Sequence, residues 1–127
     1  MGVGPAYAIP RVLNLTGLSL NDIDFFEINE AFASQVVFSV QHLGIPWEKV
    51  NINGGAIAIG HPLGCSAYHI YFFNVERMLT SFFGCSAGAR QVATGMSIAK
   101  QTGGKVFVTS MCIGSGMGMA AIFVSEQ

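Results

Sequence analysis

The stretch that decides the fold is residues 103–124, which read GGKVFVTSMCIGSGMGMAAIFV. A diglycine turn leads into the β-branched and aromatic run 105–111, and this pattern predicts a strand. A glycine-rich turn then leads into residues 117–124, which predict a second strand antiparallel to the first. Cys112 lies where the first of these strands gives way to the turn. A cysteine placed there, before residues of little bulk, can be approached closely by a substrate.

The rest of the chain alternates strand and helix patterns around this hairpin. Apolar residues at helical spacing predict helices over residues 5–16, 31–43 and 89–101. Apolar runs bounded by turn residues predict strands over 23–28 and 50–52. In the last helix the residues expected to face inward are Val92, Met96 and Ala99. Strands that alternate with helices predict an α/β domain with a mixed sheet and flanking helices.

Composition limits what this domain can do. The chain has 127 residues, which favours one domain, and half of them are apolar. Charged residues make up only 10% and the net charge is −1, which excludes a basic surface for nucleic acid. So little charge also indicates that another domain or subunit covers part of the surface.

Cysteine usage, hydropathy and the final residues give the expectations about cellular context. Three cysteines without paired spacing indicate free thiols in a reducing compartment. We expect no membrane span, because no apolar run is long enough, and no secretory signal peptide. The end Ser125-Glu126-Gln127 is not a peroxisomal address of the Ser-Lys-Leu type.

Polar side chains lie at the ends of three predicted strands. Asn29 and Glu30 follow strand 23–28, His61 ends a glycine-rich loop after strand 50–52, and Cys112 ends strand 105–111. Cysteine, histidine and asparagine brought together in this way are the parts of an acyl-transfer site. Each also has a plainer interpretation. Cys112 could be a small buried apolar residue, His61 a loop histidine bonded to backbone, and Asn29 the N-cap of helix 31–43.

Four segments of the chain resemble the C-terminal half of the two-domain thiolase subunit. The matching segments, in family order, are GVGPA at 2–6, NEAFA at 29–33, NGGAIAIGHPLG at 53–64 and CIGSG at 112–116. Within the family, the sequences of these segments are most similar to those of the peroxisomal 3-ketoacyl-CoA thiolases. The resemblance implies a thiolase-like C-terminal domain over 1–127, N-terminally truncated, in which a five-stranded mixed sheet would lack its first strand. It also implies a peroxisomal location, although we expect no targeting signal within these 127 residues.

The resemblance further implies an acetyl-CoA C-acyltransferase of fatty acid β-oxidation, with coenzyme A as substrate, no cofactor and no metal. Cys112 corresponds to the cysteine that moves the α-proton of acetyl-CoA. His61 corresponds to the histidine that activates the nucleophilic cysteine, and Asn29 to the residue that holds an enolate-stabilising water. Gly114 corresponds to a backbone N–H of an oxyanion hole. Ala31 and Phe32 resemble walls of the pantetheine channel, although a core role for Phe32 is an alternative.

The nucleophilic cysteine of the family belongs to the N-terminal half, and none of Cys65, Cys85 or Cys112 lies in its motif. We therefore expect the chain alone to be inactive. One alternative is a non-catalytic module that pairs with a full-length thiolase subunit. The expected protein partner is therefore either a second copy of this chain, in a homo-oligomer, or a thiolase subunit. Another is a small enzyme that uses Cys112 and His61 as a dyad. We expect Cys65 and Cys85 to be structural, and His42 and His69 to lie outside the site.

An insertion separates two parts of the resemblance. Gly64-Cys65-Ser66-Ala67 recurs as Gly84-Cys85-Ser86-Ala87, whereas thiolases continue directly into the Gly-Ala-Arg-Gln segment found here at 88–91. Residues 67–87 are therefore interpreted as a non-family insertion, most simply an intron translated in frame. A functional lid and a membrane-surface helix are the alternatives.

Overall fold

The computed structural model describes residues 2–61 and 86–126 of the chain. The predicted insertion at 67–87 falls almost entirely outside these residues, as do Cys65, Cys85 and His69. The helices are α1 (Gly4–Thr16), α2 (Ala33–Leu43), α3 (Ala56–Ile59) and α4 (Ser86–Thr102). The strands are β1 (Phe25–Ile28), β2 (Val106–Cys112) and β3 (Gly118–Val124), and short 3-10 helices occupy Leu20–Asp22 and Trp47–Lys49.

The described strands form one mixed sheet in the order β1-β2-β3. β1 runs parallel to β2, pairing Phe25 with Phe107 and Ile28 with Ser110. β3 runs antiparallel to β2, pairing Val106 with Val124 and closing the predicted hairpin. The α/β class and the mixed sheet are therefore confirmed.

Helices cover both faces of this sheet. On one face, apolar residues of α1 and α2 pack against β1 and β2, with Ile9, Phe26, Val40 and Val108 almost fully buried. On the other face, Ile98 and Ala99 of α4 pack on Phe25 and Phe107. β1 and β2 thus bury alternate side chains into two different cores, which explains why β1 is buried along its whole length.

Local signals account for where the first two helices end. Gly17 follows α1 and Gly44 follows α2, both in the left-handed conformation, with φ of 72° and 67°. A residue with a Cβ is disfavoured in this conformation, so glycine ends a helix at little cost. α2 begins at Ala33 rather than at the predicted residue 31, because Phe32 is still extended.

Two details of the sequence prediction are wrong. Residues 50–52 form no strand: Val50 makes a single bridge to Phe26, and the chain then turns at Asn51, whose φ is 49°. The inward face of α4 also differs from the predicted one in part. Ala99 is buried as predicted and Val92 is half-buried, but Met96 is exposed, and the face also includes buried Gln91, Gly95 and Ile98. Within the described residues, no helix is long and apolar enough to cross a membrane.

Candidate functional site

The candidate site lies at the carboxyl edge of the parallel pair of strands. β1 ends at Ile28, and the next residue, Asn29, donates its backbone N–H to the carbonyl of Ser110 on β2 (2.8 Å). β2 itself ends two residues later, at Cys112. Because the carboxyl ends of parallel strands meet at one edge, the register brings the amide of Asn29 and the thiol of Cys112 to the same side of the domain.

Asn29 and His61 meet at this edge. The side-chain nitrogen of Asn29 lies 3.4 Å from Nε2 of His61, and it donates a long hydrogen bond there in the histidine tautomer whose Nε2 carries no proton. Asn29 is almost fully buried. Its Oδ1 and the Nδ1 of His61 are buried without a hydrogen-bond partner among the described residues. Oδ1 of Asn29 can accept from a water, and Nδ1 of His61 can donate to an oxygen when it carries the ring proton, which is the arrangement that the prediction of an enolate site requires.

A glycine-rich loop brings His61 to this position. After Asn51 the chain passes through Gly54 and the short helix α3, and Gly60 then turns it with φ of 96°. Such a φ favours glycine, since a side chain there is strained. The sequence predicted this loop correctly, but it did not predict what holds it against β1.

Cys112 opens the turn between β2 and β3. It is partly exposed and, within the described part of the chain, it is a free cysteine. Gly114, Ser115 and Gly116 all have positive φ values, of 83°, 51° and 78°. Between described residues, the carbonyl of Gly114 accepts from Met117 (2.9 Å), while the N–H of Gly114 donates no hydrogen bond. The turn therefore leaves a backbone donor two residues after Cys112. No side-chain hydrogen bond between described residues joins Cys112 to His61.

Two of the plainer interpretations are wrong. Asn29 is not the N-cap of α2, because the N-cap is Phe32 and no side chain caps that end. Phe32 is not a core residue, since 58% of it is exposed. It lines an open surface groove beside Ala31, together with Gly2, Val3, Ser34, Gln35 and Phe38. His42 is exposed, as predicted.

Buried polar groups lie directly behind the site. The side-chain nitrogen of Gln91 donates to the carbonyls of Glu27 (2.6 Å) and Ser110 (2.9 Å), so α4 ties β1 to β2. Glu27 is fully buried and lies 3.9 Å from the guanidinium of Arg90. Burial raises the pKa of Glu27 to about 7, Arg90 opposes the rise, and the negative charge of Glu30 adds to it. A carboxyl group in this position changes its charge near neutral pH.

The sequence predicted the polar residues at the carboxyl edge of the sheet, but it did not predict the residues that hydrogen-bond to the strands and the loop there and hold them in place. Glu30 belongs to the same polar cluster as Asn29, yet no role was predicted for it. Asn51 was predicted to lie in a strand. The one feature of the sequence that indicated a turn there was the residue type, since asparagine is common in turns. Gln91 was noticed only as part of the motif that follows the insertion. Among residues 2–61 and 86–126, no group of three His, Cys, Asp or Glu side chains is placed to hold a metal ion.

Comparison with known proteins agrees with this geometry. Residues 1–82 match the family model described as Thiolase, C-terminal domain. The chain is 56% identical over 126 residues to the peroxisomal 3-ketoacyl-CoA thiolase of Yarrowia lipolytica, covering 99% of this chain and 25% of that protein. The chain thus spans about a quarter of the length of the curated relatives it matches.

The fold of this chain is also similar to parts of solved thiolase structures. The dimeric peroxisomal thiolase of Saccharomyces cerevisiae superposes with a TM-score of 0.74 at 52% identity, covering 98% of this chain and 26% of that one. Human mitochondrial 3-ketoacyl-CoA thiolase in complex with CoA has a TM-score of 0.78 at 38% identity, covering 99% of this chain and 27% of that one.

Proposed function

This chain belongs to the thiolase family, whose C-terminal domain it matches, and from that premise we propose that it supplies the acid/base half of a 3-ketoacyl-CoA thiolase active site. The reaction would be acyl transfer between coenzyme A thioesters in fatty acid β-oxidation. One observation carries the proposal. Asn29 and His61 lie 3.4 Å apart at the edge where the strand bearing Cys112 ends.

In this proposal Cys112 is the acid/base group. Its thiolate takes a proton from the α-carbon of an acetyl thioester, so that a C–H bond breaks and an S–H bond forms. The electron pair moves to the thioester oxygen as an enolate. A thiol suits this task because a positioned thiolate can act as a general base and the thiol that results can act as a general acid.

His61 and a water held by Asn29 would stabilise the enolate oxygen. The unpartnered Nδ1 of His61 and Oδ1 of Asn29 support this assignment, because Nδ1–H can donate to the enolate and Oδ1 can accept from a water that itself donates to the enolate. The N–H of Gly114 would serve a second oxyanion in the acyl-transfer step. The exposed ring of Phe32, with Ala31, would line the path of the pantetheine arm.

We propose that the chain does not complete the reaction alone. None of its three cysteines lies in the nucleophile motif of the family, so no residue of these 127 would take the acyl group. Coenzyme A enters as substrate, and the proposed chemistry needs no bound cofactor. The relatives named peroxisomal support a peroxisomal location.

Pairing with another thiolase subunit is a second candidate function. β3 is an edge strand of the described sheet, and Met117 and Val124 near its two ends are exposed. An edge of this kind favours association. The relative from Saccharomyces cerevisiae is dimeric. Co-elution of the chain with that full-length thiolase in size-exclusion chromatography would support a pairing role, and separate elution would count against it.

A chimaera tests the catalytic proposal directly. The matching C-terminal segment of the Saccharomyces cerevisiae thiolase is replaced by this chain, with and without residues 67–87. The assay is coenzyme A-dependent cleavage of acetoacetyl-CoA. We expect the chimaera without 67–87 to be active and the 127-residue chain alone to be inactive. Turnover by the chain alone, or an inactive pair of folded chimaeras, would overturn the proposal.

Cysteine substitutions in the active chimaera test the assigned roles. Cys112→Ser should lower kcat by at least about a hundredfold, because a hydroxyl is a far weaker acid at neutral pH. The same substitution at Cys65, which the chimaera without 67–87 retains, provides a matched control, which we expect to change kcat by less than about threefold. Equal effects at both positions would remove Cys112 from the chemistry.

A further inference from the structure

The carboxylate of Glu30 joins the end of β1 to the loop that carries His61. One carboxylate oxygen accepts from the side-chain nitrogen of Asn51 (2.8 Å). The other accepts from the backbone N–H of Ile57 (2.8 Å), in the first turn of α3. Both bonds have short, favourable distances, and a charged acceptor makes them stronger than bonds between neutral groups.

Asn51 anchors this carboxylate to the sheet. Its side-chain oxygen accepts from the N–H of Ile28 (2.8 Å), and its side-chain nitrogen donates to the carbonyl of Ile28 (2.9 Å). One amide group thus satisfies both backbone groups of the last residue of β1, as a neighbouring strand would. The left-handed backbone of Asn51, tolerated by asparagine better than by most residues, turns the chain away immediately afterwards.

Gly55 shows how closely the loop is held. Its backbone angles are ordinary, with φ of −103° and ψ of −164°, so conformation does not require glycine here. Glycine is required here because there is no room for a side chain: a Cβ at this position would overlap the carboxylate of Glu30. The loop backbone therefore lies against the carboxylate itself, and His61 follows six residues later.

We propose that Glu30 and Asn51 form a clamp that positions His61 against Asn29. The clamp touches no reacting atom, so both are positioning residues. This inference rests on the proposed function for its catalytic consequence, but its structural part stands independently. Glu30 directly follows Asn29. The same two-residue segment therefore places the Asn29 amide, which contacts the His61 ring, and the Glu30 carboxylate, which holds the loop that carries His61.

The structural part is tested on the full 127-residue chain by amide hydrogen exchange and by the ring signals of its histidines. Glu30→Gln leaves one of the two donors facing an NH2 group, because an amide has a single acceptor oxygen. We expect exchange at the Ile57 amide to rise at least about tenfold, and the His61 ring signals to shift. The signals of exposed His42 should stay in place.

A matched control comes from the other end of β1. Asp24 also accepts two backbone N–H groups, from Lys105 (2.7 Å) and Val106 (2.9 Å), but it lies away from the site. Asp24→Asn should speed exchange at those two amides and leave the Ile57 amide and the His61 ring signals unchanged. Unmoved His61 signals in Glu30→Gln, or equal shifts in both variants, would overturn the clamp.

The catalytic part is tested in the chimaera. Glu30→Gln and Gly55→Ala disturb the same contact from opposite sides, and both should lower kcat between about tenfold and a hundredfold, the scale of an ångström-sized misplacement. KM for acetoacetyl-CoA should change by less than about threefold, and Asp24→Asn should leave both constants unchanged. If the chimaera is inactive while the His61 signals move as expected, the function fails and the clamp stands. If the His61 ring signals shift but Glu30→Gln and Gly55→Ala both keep the full kcat, the catalytic role of the clamp is refuted.

Discussion

Buried Glu27 should make the stability of this fold depend on pH. Its side chain is fully buried on β1, 3.9 Å from Arg90, and burial raises its pKa to about 7 from an ordinary value of 4.5. In the unfolded chain the carboxyl group loses its proton near pH 4.5, whereas in the folded chain it keeps that proton up to about pH 7. Between these values the folded state binds more protons, so stability falls as pH rises.

The size of the effect follows from the same values. A rise in pKa from 4.5 to about 7 corresponds to about 3 kcal/mol, at about 1.4 kcal/mol for each pH unit. This contribution is fully present below pH 4.5 and is lost by the time pH exceeds 7. Glu27→Gln keeps the shape of the side chain and removes the titration. Relative to that variant, the wild-type chain should therefore lose about 3 kcal/mol between pH 4.5 and pH 8.

The measurement is urea unfolding of both chains at several pH values, followed by circular dichroism and by fluorescence of Trp47, the single tryptophan. Comparing wild type with variant cancels the other titrating groups. Glu48→Gln, at an exposed position, provides the control and should leave the pH dependence unchanged. A constant difference in unfolding free energy between wild type and Glu27→Gln across this range would refute the reasoning.

Three further substitutions test packing and backbone geometry. Gly95→Ala places a methyl group into the ring of Phe107 and should lower the unfolding free energy by about 1–3 kcal/mol in thermal or urea unfolding, whereas Ser97→Ala on the exposed side of α4 should have little effect. Gln91→Leu removes a side-chain donor from the carbonyls of Glu27 and Ser110, the second of which keeps its bond from the Asn29 N–H, and should cost about 1–3 kcal/mol, with faster amide exchange at the end of β1. Gly114→Ala meets no neighbouring atom but must adopt a φ of 83°, so it should cost about 1–2 kcal/mol through backbone strain alone; an unchanged melting temperature would contradict this.

Sequence reasoning predicted the parts of the fold that local signals specify. Strand β2 stands out because β-branched residues follow a diglycine, and α1 and α2 both end at a glycine that adopts the left-handed conformation. The glycines around Cys112 and His61 indicated turns for the same reason. These features depend on backbone preferences within a few residues, and a single sequence displays them.

The errors arose where distant residues decide the structure. Residues 50–52 look like a strand, but the side chain of Asn51 replaces strand pairing by bonding both backbone groups of Ile28. On α4 the pattern favoured Met96 as an inward residue, whereas the close approach of Phe107 requires the small Gly95 on that face. Neither contact leaves a periodic trace in the sequence, since both depend on elements far apart along the chain.

At the candidate site, one residue after β1 contacts His61 and the next residue holds the loop that carries His61. Successive side chains of an extended segment point in opposite directions, and Asn29 and Glu30 follow β1 in this way. Asn29 meets His61, while Glu30 turns to Asn51 and the loop, so the polar contact and its fastening do not compete for space. A slip of one residue between β1 and β2 would exchange the two side chains. The Gln91 side chain, which bonds both strands beside the site, opposes such a slip, so the register of the sheet determines which of the two residues reaches His61.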